Sequence, residues 1–329
     1  MIHLKTPENI LVVRLSSLGD ILLTTPVIRA IKQKHPNATI DFITKKEFAD
    51  AIKFNPKINQ LFIYNKNKHS EIKEQINSKY DLVIDLQNNL RSRNLTSNAA
   101  ERIVRFTKPT FKKYMLIKFK INLFSGIIPI PHRYSASIEN LLLDNKGLDL
   151  FIPEQIKGTL VSSKSYIGLC PGSKHFTKRW PENYFIELGK LFIEKGFSVV
   201  IFGGADDRII GSKISEAIPE SINLCNDNNL LLTARDMKKC QLIICNDSGL
   251  MHTASAVNVP LLTIFGSSVK EFGFIPYNVK NVILENKSLS CRPCSHIGLA
   301  RCPKYHFKCM NEVKPQKVFE EALILINAL

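Results

Sequence analysis

Short apolar runs rich in Ile, Val and Phe alternate along this chain with longer stretches whose apolar positions recur every three or four residues. That rhythm is strand, helix, strand in a parallel sheet, where helical crossovers cover strands buried on both faces. Ile10–Leu15, Thr39–Ile43, Gln60–Tyr64, Leu82–Leu86 and Arg102–Phe106 predict a first strand set. The pattern weakens between Pro109 and Pro153, where Pro129, Pro131 and Pro153 interrupt it, and then restarts. Tyr166–Cys170, Ser198–Phe202, Ile222–Cys225, Leu242–Cys245 and Leu261–Phe265 predict a second set. A helix is predicted from Pro181 to Gly196: the proline suits its first turn, Tyr184, Phe185, Leu188, Leu191 and Phe192 share a face, and the glycine closes it.

Two such series predict an α/β chain of two doubly wound, Rossmann-like domains facing across a cleft, at residues 1–155 and 156–329, with the last helix a candidate to pack back on the first domain. A length of 329 residues fits two cores better than one. No stretch reaches the ~20 apolar residues that span a bilayer, so neither a signal peptide nor a transmembrane helix is expected, and the expected location is cytoplasmic.

Ligands of doubly wound sheets bind at the carboxyl ends of strands, which directs attention to the loops that follow them. The first strand runs into Ser16-Ser17-Leu18-Gly19-Asp20, whose carboxylate reads equally as a helix N-cap or as a group pointed into the cleft. In the second half, Cys170-Pro171-Gly172-Ser173 leads through Lys174, Lys178 and Arg179 towards a helix, a plausible phosphate cradle or a solvated basic loop. Asn246-Asp247-Ser248-Gly249 precedes the helix-like Leu250-Met251-His252, so free amides at 248–250 and a closely approachable glycine make a diphosphate site. An ordinary N-cap with a packed His252 is the alternative. Asp206, in Gly203-Gly204-Ala205-Asp206-Asp207, either meets a ribose diol or caps the helix from Arg208.

A Walker A spacing is absent, and so is Gly-x-Gly-x-x-Gly after the first strand, which argues against a nicotinamide enzyme. The net charge of +16 favours phosphate-rich or acidic partners without choosing among nucleic acid, anionic lipid and acidic glycan, and part of it can be compositional drift. A nucleic-acid-binding protein would explain the charge but not two strand-end phosphate loops.

Together, Arg14-Leu15-Ser16-Ser17-Leu18-Gly19-Asp20, Cys170-Pro171-Gly172-Ser173, Lys178-Arg179-Trp180-Pro181 and Asn246-Asp247-Ser248-Gly249-Leu250-Met251-His252 resemble glycosyltransferase family 9, the lipopolysaccharide heptosyltransferases, and the second heptosyltransferase type in particular. The resemblance implies a GT-B fold with an N-terminal acceptor domain and a C-terminal domain for ADP-heptose. It implies inverting, metal-independent transfer with no required cofactor, to the Kdo/heptose-lipid A inner core at the cytoplasmic face of the inner membrane, and no nucleic-acid partner. Another donor or acceptor on the same scaffold is the rival reading. Asp20 matches the family's general base and Lys178 the lysine that neutralises the leaving diphosphate. Asp247, Ser248, Gly249, Leu250 and His252 match the donor loop, with Ser173 and Asp206 as further donor contacts. The basic stretch from Arg91 to Arg133, in which Glu101 is the one acid, would meet the acceptor's acidic head, with Arg91, Arg93, Lys112 and Lys113 as candidates. Its interleaved aromatics read as a membrane-surface helix or as a solvated face with its rings turned inward.

Of the eight cysteines, Cys170, Cys225, Cys240 and Cys245 lie in or beside strand-like segments and read as small buried hydrophobes. Cys291-x2-Cys294-x7-Cys302-x6-Cys309 reads as a structural four-thiolate zinc site or as free thiols.

Overall fold

The computed structural model describes residues 6–328 apart from positions 145 and 162. The chain divides into two compact units: residues up to Lys108 together with Pro129–Phe151, and Pro109–Ile128 together with Ile152 onward. Side-chain anchoring explains the interleaving. Arg29 of the first unit, nearly buried, holds Asp144 through two nitrogens at 2.7 Å and Asp149 at 2.5 Å, which ties down residues 129–151. Lys120 instead donates to the carbonyls of Cys291 and Pro293, and Phe124 packs edge-on against Phe272, so 109–128 is fastened to the second unit rather than to the first as the sequence suggested.

The first unit is a five-stranded parallel sheet built from β1 (Asn9–Val13), β2 (Thr39–Lys45), β3 (Leu61–Tyr64), β4 (Tyr80–Asp85) and β5 (Ala100–Arg105), ordered β3-β2-β1-β4-β5. Ile10 to Val13 are fully buried at its centre, as a strand covered on both faces requires. The chain lays β2 and β3 on one side of β1, then reverses to lay β4 and β5 on the other. The topological switch point therefore lies between β1 and β4, which pair directly.

The second unit holds six parallel strands: β6 (Tyr166–Cys170), β7 (Ser198–Ile201), β8 (Ile222–Asn223), β9 (Cys240–Asn246), β10 (Leu261–Phe265) and β11 (Asn281–Glu285). Their order, β11-β10-β9-β6-β7-β8, puts a second switch point between β6 and β9. The predicted helix forms as Glu182–Glu194, with Pro181 as N-cap residue and Gly196 at φ +88°, a conformation glycine adopts without strain. The final helix, Pro315–Asn327, packs on that same helix, with Phe319 5.0 Å from Phe192 and Val318, Ala322 and Leu325 in the unit's own core. Each unit is thus a doubly wound parallel sheet, as the sequence predicts.

Candidate active site

In the first unit, the loops after β1 and β4 meet at the switch point. Gln87 accepts the backbone amides of Leu15 and Ser16 at 3.0 and 3.2 Å, stitching one loop to the other. Arg14, almost buried, donates to the carbonyls of Ser16 and Leu86 and forms an ion pair with Asp20 at 2.6 Å. Asp20 is therefore neither the N-cap nor a free carboxylate. The short helix Leu18–Leu22 is capped by Ser17, and Asp20 occupies its third position, accepting the amide and hydroxyl of Ser17 at 3.0 and 2.7 Å. The Tyr134 hydroxyl stands 3.5 Å from its other oxygen. Burial alone would raise this carboxyl, but Arg14 and the two Ser17 donors outweigh it and hold Asp20 below the usual carboxylate range. Tyr134 is pushed in the opposite direction by burial and keeps its proton.

Asp85, fully buried at the end of β4, shapes the neighbouring loop by accepting the amides of Gln87 and Asn88 and the Ser92 hydroxyl. The helix Leu90–Leu95 that follows carries Arg91 and Arg93 on its exposed side. Arg93 is steadied by Asn88 at 2.7 Å, and Arg91 lies over the ring of Tyr64. The other two acceptor candidates, exposed Lys112 and half-buried Lys113, belong to the second unit, where Lys113 lies over Phe272 and Phe274. The four cations thus do not form one cluster within one unit.

In the second unit, three adjacent strands, β9, β6 and β7, end in the loops that the sequence singled out. Asn246 is their joint. Fully buried, it donates to the Pro171 carbonyl at 2.7 Å and accepts the Trp180 amide at 3.0 Å, so the β6 loop, the Lys178 segment and the β9 loop share one residue. Trp180 is buried, donates its indole N–H to the Val313 carbonyl, and fixes the segment carrying Lys178. Lys178 contacts Asp247 at 2.7 Å, and the same carboxylate oxygen accepts the hydroxyl of Ser268 from the β10 loop. Arg292 holds that loop by donating to the carbonyls of Gly266 and Ser268 and pairing with Glu285.

Ser248 caps the helix Gly249–Ala256, so the amides of the following residues point out of its first turn at the strand end. Its buried hydroxyl has no hydrogen-bond partner among the described residues. A side-chain donor and a helix N-terminus beside a lysine make an anion site. His252 lies deeper on that helix and is buried, consistent with packing beneath the loop. Ser173 is buried, and its carbonyl accepts Arg179 at 2.6 Å. Asp206 is exposed in the turn Ala205–Asp207 and does not cap the next helix.

Its neighbour Asp207 turns inward, accepts the Gly204 amide at 3.1 Å, and lies against Gly172. Burial raises its carboxyl above the ordinary value. A Cβ on Gly172 would collide with that carboxylate, so Gly172→Ala is expected to cost ~1–3 kcal/mol of stability, the usual penalty for overpacking. Urea unfolding checks this, and adding Asp207→Ala should recover most of the loss; no recovery would place the strain elsewhere. Asp207, Ser268 and Arg292 are site residues that sequence reasoning missed, and Asn246 was read only as part of its loop. Asn246 and Asp207 lie next to residues that were chosen, whereas nothing in the spacing of Ser268 or Arg292 signals their part.

Of the two readings of the cysteine tail, free thiols are observed rather than a four-thiolate zinc site. Among the described residues, no group of three or more His, Cys, Asp or Glu is arranged to hold a metal ion. Cys294 donates to the Cys291 carbonyl, Cys291 faces His306 at 3.8 Å, and Cys309 is buried, its thiol pushed up to about 12. Cys245 is likewise pushed up to about 12 by burial, as a thiol packed like a small hydrophobe.

Comparison with known proteins matches residues 132–305 to the family described as glycosyltransferase family 9 (heptosyltransferase). Lipooligosaccharide heptosyltransferase 2 of Campylobacter jejuni is 29% identical over 322 residues, covering 94% of this chain and 96% of that protein. Among solved structures, a family 9 glycosyl transferase from Veillonella parvula superposes with a TM-score of 0.80 at 23% identity, covering 98% of each chain. ADP-heptose LPS heptosyltransferase II of Escherichia coli gives 0.72 at 23% identity, covering 97% of this chain and 99% of that one.

Proposed function

Because this chain belongs to glycosyltransferase family 9, the heptosyltransferase family, we propose that it transfers a heptose from ADP-heptose to the inner core of lipopolysaccharide. The observation that carries this reading is the strand-end cluster at the β6/β9 switch point, where Lys178, the Ser248 hydroxyl and the first-turn amides of Gly249–Ala256 offer positive charge and donors to a diphosphate. The E. coli and C. jejuni relatives named above act on ADP-heptose and lipooligosaccharide or lipopolysaccharide by their names, which supports the choice of donor and acceptor.

In the proposed step, an acceptor hydroxyl oxygen attacks the anomeric carbon, the bond from that carbon to the diphosphate oxygen breaks, and the configuration inverts. The hydroxyl proton passes to Asp20, and ADP leaves with its negative charge met by Lys178 and the helix amides. Asp247 orients Lys178, while Ser173 and Asp206 are further donor contacts. Arg91 and Arg93, on the helix that follows β4, suit the acidic acceptor, and Lys112 and Lys113 are further candidates for it. An acceptor of this kind is anchored in lipid, and the family resemblance supports the cytoplasmic face of the inner membrane as the proposed place of work.

Thermal unfolding with ADP, UDP and GDP tests the donor assignment. A nucleotide present at ~100 times its Kd adds about 2.7 kcal/mol, an upward shift of several degrees for a chain of this size. ADP is expected to give that shift and UDP and GDP much less. Preferential stabilisation by UDP or GDP would transfer the reading to another sugar donor on the same scaffold.

A further inference from the structure

From Arg102 to Ile138 the chain contains no Asp or Glu, while Lys112, Lys113, Lys118 and Lys120 crowd its middle. The helix Thr110–Phe119 in this stretch buries one residue, Leu116. Its large apolar side chains face outward: Phe111 is 67% exposed, Tyr114 54% and Phe119 55%. Ile121, Leu123, Ile127 and Ile128, which follow the helix in the chain, are exposed as well. This is a formed surface, because Tyr114 and Phe119 pack edge-on at 5.8 Å and the Lys120 and Phe124 anchors hold the strip to its unit. The inward turn of the rings that a solvated helix would show is not observed.

Exposed aromatic and branched aliphatic side chains interleaved with lysines, with no acid among them, narrow the occupant. Lysine is depleted from protein interfaces, and a nucleic acid would leave Ile121, Leu123, Ile127 and Ile128 without a role. An anionic lipid surface uses both kinds of group: apolar rings enter the headgroup boundary while ammonium groups sit on phosphates. The helix is too short to cross a bilayer, and among the described residues no helix is long and apolar enough to do so.

We propose that residues 110–128 dock this protein onto an anionic bilayer, with Phe111, Phe119, Ile127 and Ile128 at the acyl boundary and Lys112 and Lys118 on lipid phosphates. The proposal deepens the glycolipid reading and rests on it for which membrane is met, not for the affinity. Co-sedimentation of the full chain with vesicles of phosphatidylcholine alone, and of phosphatidylcholine with about a third phosphatidylglycerol, measures it without donor or glycan. Binding to the anionic vesicles is expected to be about tenfold tighter or more, and to fall as salt screens the lysines. Phe111→Ser with Phe119→Ser is expected to lose about tenfold in partitioning with unchanged melting temperature and unchanged response to ADP. Equal binding to both vesicle types, no binding, or full binding by the double variant would overturn the proposal. So would self-association that this variant abolishes in the absence of vesicle binding, which would assign the face to a second copy. Because the assay contains neither substrate, its failure leaves the transfer reading standing, and failed transfer leaves vesicle binding measurable.

Discussion

Replacing Asp20 by Asn is expected to lower kcat/KM for sugar transfer by roughly 10²–10⁴-fold, the contribution of a positioned general base, while ADP affinity is retained. The substitution is nearly isosteric and keeps a carbonyl oxygen to accept from Ser17, so the capping box of Leu18–Leu22 can persist. What disappears is the charge. In the native site Arg14 holds Asp20 below the ordinary carboxylate range, so the group is ionised throughout the neutral region and ready to accept a proton. A base held this low is a weak one, and it suits a reaction in which the acceptor hydroxyl becomes acidic only as the new bond to the anomeric carbon forms. The pH dependence follows from the direction of the shift. A depressed carboxylate contributes stability that is present above its unfolded value of about 3.9 and is lost as pH falls through the lower folded value. Asp20 is therefore expected to produce no acid limb in kcat/KM above about pH 4.5. Asp20→Asn also leaves Arg14 without its counter-charge, so melting temperature and the ADP-induced shift must be measured beside turnover. Turnover near the native rate in a folded variant would reduce Asp20 to a helix-capping residue.

Much of this site can be read in the sequence because doubly wound folds put ligands where strands end, and strands reveal themselves by apolar runs. Ile10–Val13 and Leu242–Cys245 are continuous apolar strands, so the loops following them could be located without coordinates. The edge strand Asn281–Glu285 was not found, because only half-buried or exposed residues form it and its apolar run is three residues long. Asp20 shows a finer limit. Its position near a helix start is legible, but a capping box from Ser17 differs from an N-cap by three residues. Arg14 heads the motif that ends in Asp20, but nothing in that spacing signals that its three partners span Ser16, Asp20 and Leu86. Long-range joints of this kind are set by packing: Ser268 reaches Asp247 across 21 residues, and Arg292 reaches Gly266 across 26. The segment 109–128 was assigned to the wrong unit for the same reason, since Lys120 is anchored more than 170 residues away.

Lys178→Met is expected to reduce turnover by about 10²–10³-fold, the cost of losing one preorganised donor to developing negative charge. The variant should also weaken ADP binding by more than the lost attraction, because Asp247 is nearly buried and shares one oxygen between Lys178 and Ser268. Without the lysine, that carboxylate would stand uncompensated beside an incoming diphosphate and repel it. The two effects separate in a double-mutant cycle. Adding Asp247→Asn to Lys178→Met removes the repulsion and should restore part of the ADP affinity measured by calorimetry, while turnover stays low because no cation meets the leaving group. Lys178→Arg is expected to recover little, since a planar guanidinium does not replace a compact ammonium held against a single carboxylate oxygen. Native turnover in Lys178→Met, or a double variant that binds ADP no better than the single one, would show that Lys178 serves the fold of the loop. The Trp180 and Asn246 contacts make that alternative concrete, for they fix the same segment independently of the lysine, and their persistence in a folded Lys178→Met protein is what makes the kinetic loss attributable to charge.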